Sequence, residues 1–341
     1  MADLRIGIVG LGRLGKRHAE TLARSLPGAA LVAAASPVAE ERQWASGRLD
    51  VATYDSLEAL LAHPGLDAVW LVTPTSLHAD QVAMVLGAGK HVFCEKPLAL
   101  DVAACDRVLA LAAARPALVA MVGFMRRFDP GYGEARRAVI AGELGSLFRI
   151  HCESHDPVDP DGFFVRFAPT SGGIFLDCCI HDVDLVRWML DGARPLAVSA
   201  HGSRVMYPAL ADCGDVDTAV ATVEFEGGAL ASFHVSRTSF RGYEASMSLT
   251  GTRGALTVGR DLTPLPVVRE SAGGRQVQGL PDFFARFDQA FLNEARAFVD
   301  AVRAGKPSPL TLLDAREATF LACAMREALT TGTRITLGTD S

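Results

Sequence analysis

The sequence predicts an α/β protein of two domains: a doubly wound parallel sheet, then an α/β domain built on a largely antiparallel open sheet. Three observations carry this. Residues 1–122 alternate short β-rich runs with helical patterns, and strand–helix–strand repetition implies right-handed crossovers and parallel strands. After Gly123 the rhythm changes, and from Leu196 onward alternating segments are joined by hairpin-like turns. Length agrees, since 341 residues is about twice the usual ~100–200 of one domain. The domains are therefore placed at 1–122 and 123–341, with the last helix a candidate to pack back on the first.

In the first domain the strand candidates are Leu4–Val9, Leu31–Ala35, Asp50–Thr53, Ala68–Thr73, His91–Cys94 and Leu118–Val122. Helical patterns lie between them near Leu14–Ser25, Ala39–Gly47, Ser56–His63, Leu77–Gly87 and Val102–Ala114, several closed by Gly or Pro. In the second domain Asp129-Pro130 reads as an N-cap followed by proline at the first helical position, with a helix running to Gly142 or Gly145. A strand at Leu147–Glu153, a Pro/Asp/Gly-rich loop over Asp156–Pro169 and a helix from about Gly173 to Leu190 follow. The alternating segments are Ala197–Val205, Thr218–Phe225, Ala229–Arg237, Ala245–Thr250 and Ala255–Val258. Turns are expected at Glu226-Gly227-Gly228 and Gly251–Gly254, and helices near Phe284–Ala304 and Leu312–Leu329 close the chain.

Composition narrows the partners. With 49% hydrophobic and 21% charged residues the chain is ordinary globular material, and a net charge of −6 leaves no basic footprint for nucleic acid or an anionic membrane. The longest apolar runs, Ala29–Ala35 and Ala68–Val72, fall well short of the ~20 residues of a membrane helix. No secretion signal precedes the first strand, so a cytoplasmic location is expected. Seven cysteines (94, 105, 152, 178, 179, 213, 323) without a C-x-x-C read as reduced thiols, not a disulfide framework.

Gly10-Leu11-Gly12-Arg13-Leu14-Gly15 contains G-x-G-x-x-G, a motif that ~0.3 chance matches per chain of this glycine content would make weak alone. Its position gives it force. It follows the first strand and opens a helix, where the first Gly permits a tight turn, the second admits a pyrophosphate and the third lets helix pack on strand. The second strand, which in such folds ends in an acid that binds the adenosine ribose, here ends Ala34-Ala35-Ser36-Pro37, with Glu40, Glu41 and Arg42 shortly after. Ser36 can bond a 2′-hydroxyl or a 2′-phosphate. The cofactor is therefore NAD or NADP, with the lack of an adjacent Arg favouring NAD.

Two motifs stand beyond strand C-termini, where ligands of open parallel sheets bind. Thr73-Pro74-Thr75-Ser76-Leu77-His78 follows the fourth strand, and Glu95-Lys96-Pro97 follows the fifth, with Pro97 a candidate cis proline that stiffens the presentation of Lys96. In the second domain Gly172-Gly173 precedes Asp177, His181 and Asp184, which in a helix stand at i, i+4 and i+7 on one face. A carboxylate one turn from an imidazole can orient it as a general base. A solvated stripe, or a divalent metal held by Asp177, His181 and His151 or His155, are the competing readings.

Together the glycine loop, Glu95-Lys96-Pro97 and Gly172-Gly173 with Asp177-x-x-x-His181-Asp182 resemble the Gfo/Idh/MocA family of sugar oxidoreductases, and Met121–Asp129 resembles its inositol-dehydrogenase branch. The resemblance implies an N-terminal Rossmann domain that binds NAD or NADP through Gly10, Gly12, Arg13, Leu14, Gly15, Ser36, Thr73, Pro74, Thr75, His78, Glu95 and Lys96. It implies catalysis by Lys96, Asp177 and His181, with no metal. A polyol, cyclitol or sugar would lie between the domains, touched also by Arg126, Arg127, His155 and Tyr243, and its secondary hydroxyl would lose hydride reversibly. The open sheet would join copies into a homo-oligomer, a dimer or homotetramer. The sequence departs from the family at Ser36-Pro37 and at Arg241, in place of the usual acid and of Tyr. A glycosidase of the same family, cleaving through transient oxidation, and a non-catalytic nicotinamide-binding regulator are the alternative functions.

Overall fold

The computed structural model describes residues 3–260, 268–271 and 274–338. The chain divides into two compact units, Met1–Met125 with Gln289–Thr319, and Arg126–Asp288 with Phe320–Ser341.

The first unit is a six-stranded parallel sheet of β1 (Leu4–Val9), β2 (Ala29–Ala35), β3 (Ala52–Tyr54), β4 (Ala68–Leu71), β5 (His91–Glu95) and β6 (Ala120–Gly123), in the order β3-β2-β1-β4-β5-β6. The crossovers are α1 (Arg13–Arg24), α2 (Ala39–Leu49), α3 (Leu57–Leu61), α4 (Thr75–Gly87) and α5 (Val102–Ala113). Strand order reverses between β1 and β4, and a ligand of such a sheet binds outside the strand ends at that switch point. Helices cover both faces, so the central strands are apolar throughout: Ile6, Ile8, Val69, Trp70, Val92, Phe93, Met121 and Val122 are buried. Trp70 stacks on Phe93 at 3.6 Å between ring centres. Ser56 and Asp101 cap α3 and α5 by accepting from Ala59 and Ala104 N–H.

The second unit begins at a 3₁₀ turn over Met125–Phe128 and α6 (Pro130–Ile140), where Asp129 caps as expected by accepting from Gly131 and Tyr132 N–H. Its sheet takes β7 (Leu147–Pro157), β8 (Pro195–Ser203), β9 (Thr218–Phe225), β10 (Leu230–Ser239), β11 (Glu244–Gly251) and β12 (Ala255–Val258). A short hairpin, β13 (Val268–Ser271) with β14 (Gly274–Val277), stands apart, and the chain ends through α9 (Phe283–Ala304), α10 (Leu312–Thr331) and β15 (Ile335–Thr336). The order β12-β11-β7-β10-β9-β8-β15 is antiparallel except for β7 with β10, so the sheet is mixed but mostly antiparallel. Alternation sets its faces: in β9, Ala219, Ala221, Val223 and Phe225 are buried and the residues between them are not.

Two expectations need correction. The Pro/Asp/Gly-rich stretch after β7 holds a helix, α7 (Phe163–Ser171), with Pro169 inside it. Its entry is a left-handed Gly162 and the Asp159 carboxylate, which accepts the Phe164 N–H at 2.9 Å. The segment from Gly173 to Leu190 is not one regular helix either: Phe175–Cys179 forms a π turn and only then does α8 (Ile180–Met189) begin. Among the described residues no cysteine is in a disulfide; Cys94, Cys105, Cys152 and Cys179 are buried and Cys213 is exposed. No single helix among the described residues is long and apolar enough to cross a membrane.

Candidate active site

In the first unit the three glycines after β1 play separate roles. Gly10 has φ +89°, which only glycine adopts without strain, and a Cβ there would run into the Val72 carbonyl. A Cβ at Gly15 would strike the Gly10 carbonyl, so helix α1 and β1 approach as closely as backbones can. At Gly12 a Cβ would meet nothing within 4 Å. Gly12 is also the N-cap of α1, with no side-chain cap and no acid in the first turn. A helix N-terminus with no side-chain cap and no acid, beside the open space at Gly12, suits a pyrophosphate, and the loop therefore fits a dinucleotide.

The other strand ends are tied together. Ser36 is buried, and its hydroxyl donates to Glu41 Oε2 at 2.6 Å while accepting from Val38 N–H. Thr73 Oγ1 donates to Gln81, and Pro74 caps α4, whose first residue is Thr75. His78 is buried with Nδ1 2.7 Å from the Pro97 carbonyl and Nε2 2.8 Å from that of Thr73. Burial holds its pKa below the ordinary value. The ring thus clamps the loops after β4 and β5 to each other. The Lys96–Pro97 bond is cis. Glu95 accepts the Lys96 N–H through Oε2 at 3.2 Å and meets His18 Nε2 through Oε1 at 2.9 Å, both side chains buried. Lys96 is thus presented on a backbone braced from beneath.

In the second unit Gly172 and Gly173, both left-handed at φ +83° and +87°, turn the chain out of α7 and into the π turn. Asp215 accepts the Ile174 N–H there at 2.9 Å. The π turn carries Asp177, and His181 follows on the first turn of α8, largely buried. Looser winding redistributes the polar stripe. Asp177 meets Arg237 NH2 at 2.5 Å, and Arg237 also reaches Asp215 at 3.3 Å and lies over the Phe164 ring at 4.5 Å. Asp184 is held bidentately by Arg127, at 2.6 and 2.8 Å. Asp182 accepts from Arg126 and from Ser154, each at 2.6 Å. Arg126 NH2 continues to the buried Tyr243 hydroxyl at 3.2 Å, whose pKa burial pushes up to about 12.

The structure therefore gathers Arg126, Arg127, Asp177, His181 and Tyr243 around α8 and the inner face of β7. His155 stands elsewhere. Alternation along β7 points Ser154 and Asp156 inward, toward Asp182 and Cys178, and sends His155 to the other face, where it meets His234 at 3.2 Å and Glu244 at 3.6 Å. No group of three or more His, Cys, Asp or Glu side chains arranged to hold a metal occurs among the described residues. Arg237 and Asp215 are the residues that sequence reasoning passed over. A signal existed: Arg237 continues the inward series Ala231, Phe233, Val235 of β10, and a cation on a buried face demands carboxylates.

Comparison with known proteins identifies the family. Residues 4–124 match the oxidoreductase family with NAD-binding Rossmann fold, and 132–257 match the GFO/IDH/MocA C-terminal domain. The chain is 38% identical over 319 residues to scyllo-inositol 2-dehydrogenase (NAD(+)) of Bacillus subtilis, covering 92% of this chain and 90% of that one. It is 33% identical to the myo-inositol 2-dehydrogenase of Thermotoga maritima, with 96% of each covered. Among solved structures, scyllo-inositol dehydrogenase from Lactobacillus casei with bound NAD(H) and scyllo-inositol superposes with a TM-score of 0.93 at 35% identity, over 98% of this chain and 99% of that one. Glycine cradle, sheet order and both matched segments lead to one conclusion: the chain belongs to the Gfo/Idh/MocA family of NAD-binding oxidoreductases.

Proposed function

We propose that the protein is an inositol 2-dehydrogenase, oxidising one secondary hydroxyl of a cyclitol to a ketone. The observation that carries this is the glycine cradle on the same chain as a half-buried Asp177 and a buried His181 four residues on, in a sequence 38% identical to a scyllo-inositol 2-dehydrogenase. NAD, when bound, accepts the hydride. His181 takes the hydroxyl proton, a role worth ~10²–10⁴-fold for a positioned base. Asp177 orients the imidazole and balances its positive charge, and Arg237 fixes Asp177 in turn. Lys96 offers its ammonium to the developing alkoxide. Arg126 and Tyr243 shape the pocket wall, while Arg127, through Asp184, anchors α8. The uncovered sheet face exposes Val220 and Leu230, and we assign it to association into a cytoplasmic homo-oligomer, a dimer or tetramer.

The test is a panel of inositols and aldoses assayed for NAD reduction, with His181→Ala alongside. An inositol should be the best substrate, and the variant should lose at least about a hundredfold in kcat with NADH affinity intact. Near-wild-type turnover by the variant would sink the role of His181; reduction of NAD by aldoses alone would sink the substrate.

A further inference from the structure

Selection between NAD and NADP happens at the adenosine ribose, about 20 residues beyond the glycine loop, where dinucleotide folds place an acid at the end of the second strand. Here that place is Ser36, and the structure shows that Ser36 is poorly suited to the task itself. It is 1% exposed. A serine hydroxyl has one proton to donate, and this one is given to Glu41 Oε2 at 2.6 Å while the oxygen accepts the Val38 N–H at 3.1 Å.

What Ser36 does is hold two other side chains at the strand end. Glu41, in the first turn of α2, folds back to it, leaving Oε1 without a hydrogen bond among the described residues. Arg42 folds back too, its NH1 donating to the Ser36 carbonyl at 2.7 Å, and its other guanidinium N–H groups make no hydrogen bond among the described residues. Glu41 and Arg42 are both partly exposed, so each keeps open valences beside one strand terminus. Their chemistries are opposed. A ribose 2′-hydroxyl is a donor and seeks a carboxylate; a 2′-phosphate is acceptor-only, repelled by a carboxylate and drawn to a guanidinium.

We propose that Glu41 is the residue that selects NAD over NADP in this chain, supplying from helix α2 the carboxylate missing from the strand end. Ser36 fixes its rotamer, and Arg42 is a phosphate ligand that Glu41 keeps out of use. The acid has moved five residues along the sequence and returned to the same place in space. An arginine is thus near Ser36 in space though not next to it in sequence: Arg42 is six residues on, yet bonded to Ser36.

The test measures equilibrium binding of NADH and NADPH by nicotinamide fluorescence, so that it does not depend on turnover or on the residues proposed for catalysis. Wild type should bind NADH the tighter. Glu41→Gln should weaken NADH about tenfold or more, the usual loss for a hydrogen bond to a charged acceptor, and tighten NADPH, so that the Kd ratio moves by about a hundredfold toward NADPH. Adding Arg42→Gln should cancel the NADPH gain without restoring NADH. Glu41 is partly exposed, and E41Q should melt within a few degrees of wild type. The proposal is overturned if wild type binds both dinucleotides alike, if E41Q weakens both equally, as a merely structural role would, or if the NADPH affinity of E41Q survives the loss of Arg42.

Discussion

Glu294 is fully buried on α9, and neither carboxylate oxygen has a hydrogen bond among the described residues. Its surroundings in the first unit are aromatic: Phe291, three residues before it, meets His18 edge-on at 5.5 Å, and Phe298, four residues after, meets Trp70 edge-on at 5.5 Å. Burial raises its pKa well above the ordinary carboxylate range, and the nearby Glu95 charge raises it further. The sign of the linkage follows. A folded-state pKa above the unfolded one means that the native protein keeps a proton the unfolded chain has lost, so Glu294 erodes stability as pH rises above the ordinary carboxylate range. The erosion is about 1.4 kcal/mol for each pH unit over which native Glu294 stays protonated. Glu294→Gln keeps the shape of the protonated acid and removes the titration. With an m-value of about 3 kcal/mol per molar urea, the variant's midpoint should gain about 0.5 M on wild type for each pH unit above the ordinary carboxylate range over which native Glu294 stays protonated. Parallel midpoint curves for the two proteins would refute the protonated buried carboxyl, and a variant less stable than wild type by a widening margin would reverse it.

Other substitutions separate binding from folding. Gly12→Ala should melt with wild type yet lose NADH binding, because its Cβ enters open space that the pyrophosphate needs, whereas Gly10→Ala and Gly15→Ala should lower the melting temperature through clashes with the Val72 and Gly10 carbonyls. Arg237→Gln leaves Asp177 and Asp215 without their shared cation, and should cost about 3–5 kcal/mol in urea unfolding while depressing kcat more than NADH affinity. Asp184→Asn should cost a similar ~3–5 kcal/mol by removing the carboxylate that Arg127, a side chain only 8% exposed, binds bidentately, and the Arg127→Met/Asp184→Leu pair should recover most of that stability.

The first unit was legible because its signals are local. A parallel strand covered on both faces is a short apolar run, and the glycine spacing 10, 12, 15 needs only its place after β1 to acquire meaning. Asp129-Pro130 announced α6 for the same reason, since cap and first-turn proline lie in adjacent residues. The second unit hid what depends on distant partners. Helix α7 starts from a carboxylate at Asp159 and a left-handed glycine, signals that a loop also carries, and its phenylalanines imitate a strand. The π turn leaves no mark on periodicity, because one loosened turn of five residues is shorter than the window in which a period is read. Its effect on the site is nevertheless large. In the sequence Asp177, His181 and Asp184 read as one polar face of a helix, and Asp182 adds a third carboxylate whose repulsion of the other two would oppose burial. In the fold each goes to a different arginine, Arg237, Arg126 and Arg127, drawn from β10 and the turn before α6. Neutralising each acid by its own cation is what allows so charged a run to be buried around His181. The Asp177–Arg237 pair sits at the turn from which His181 is launched, so the geometry of the proposed base depends on an arginine 60 positions after Asp177.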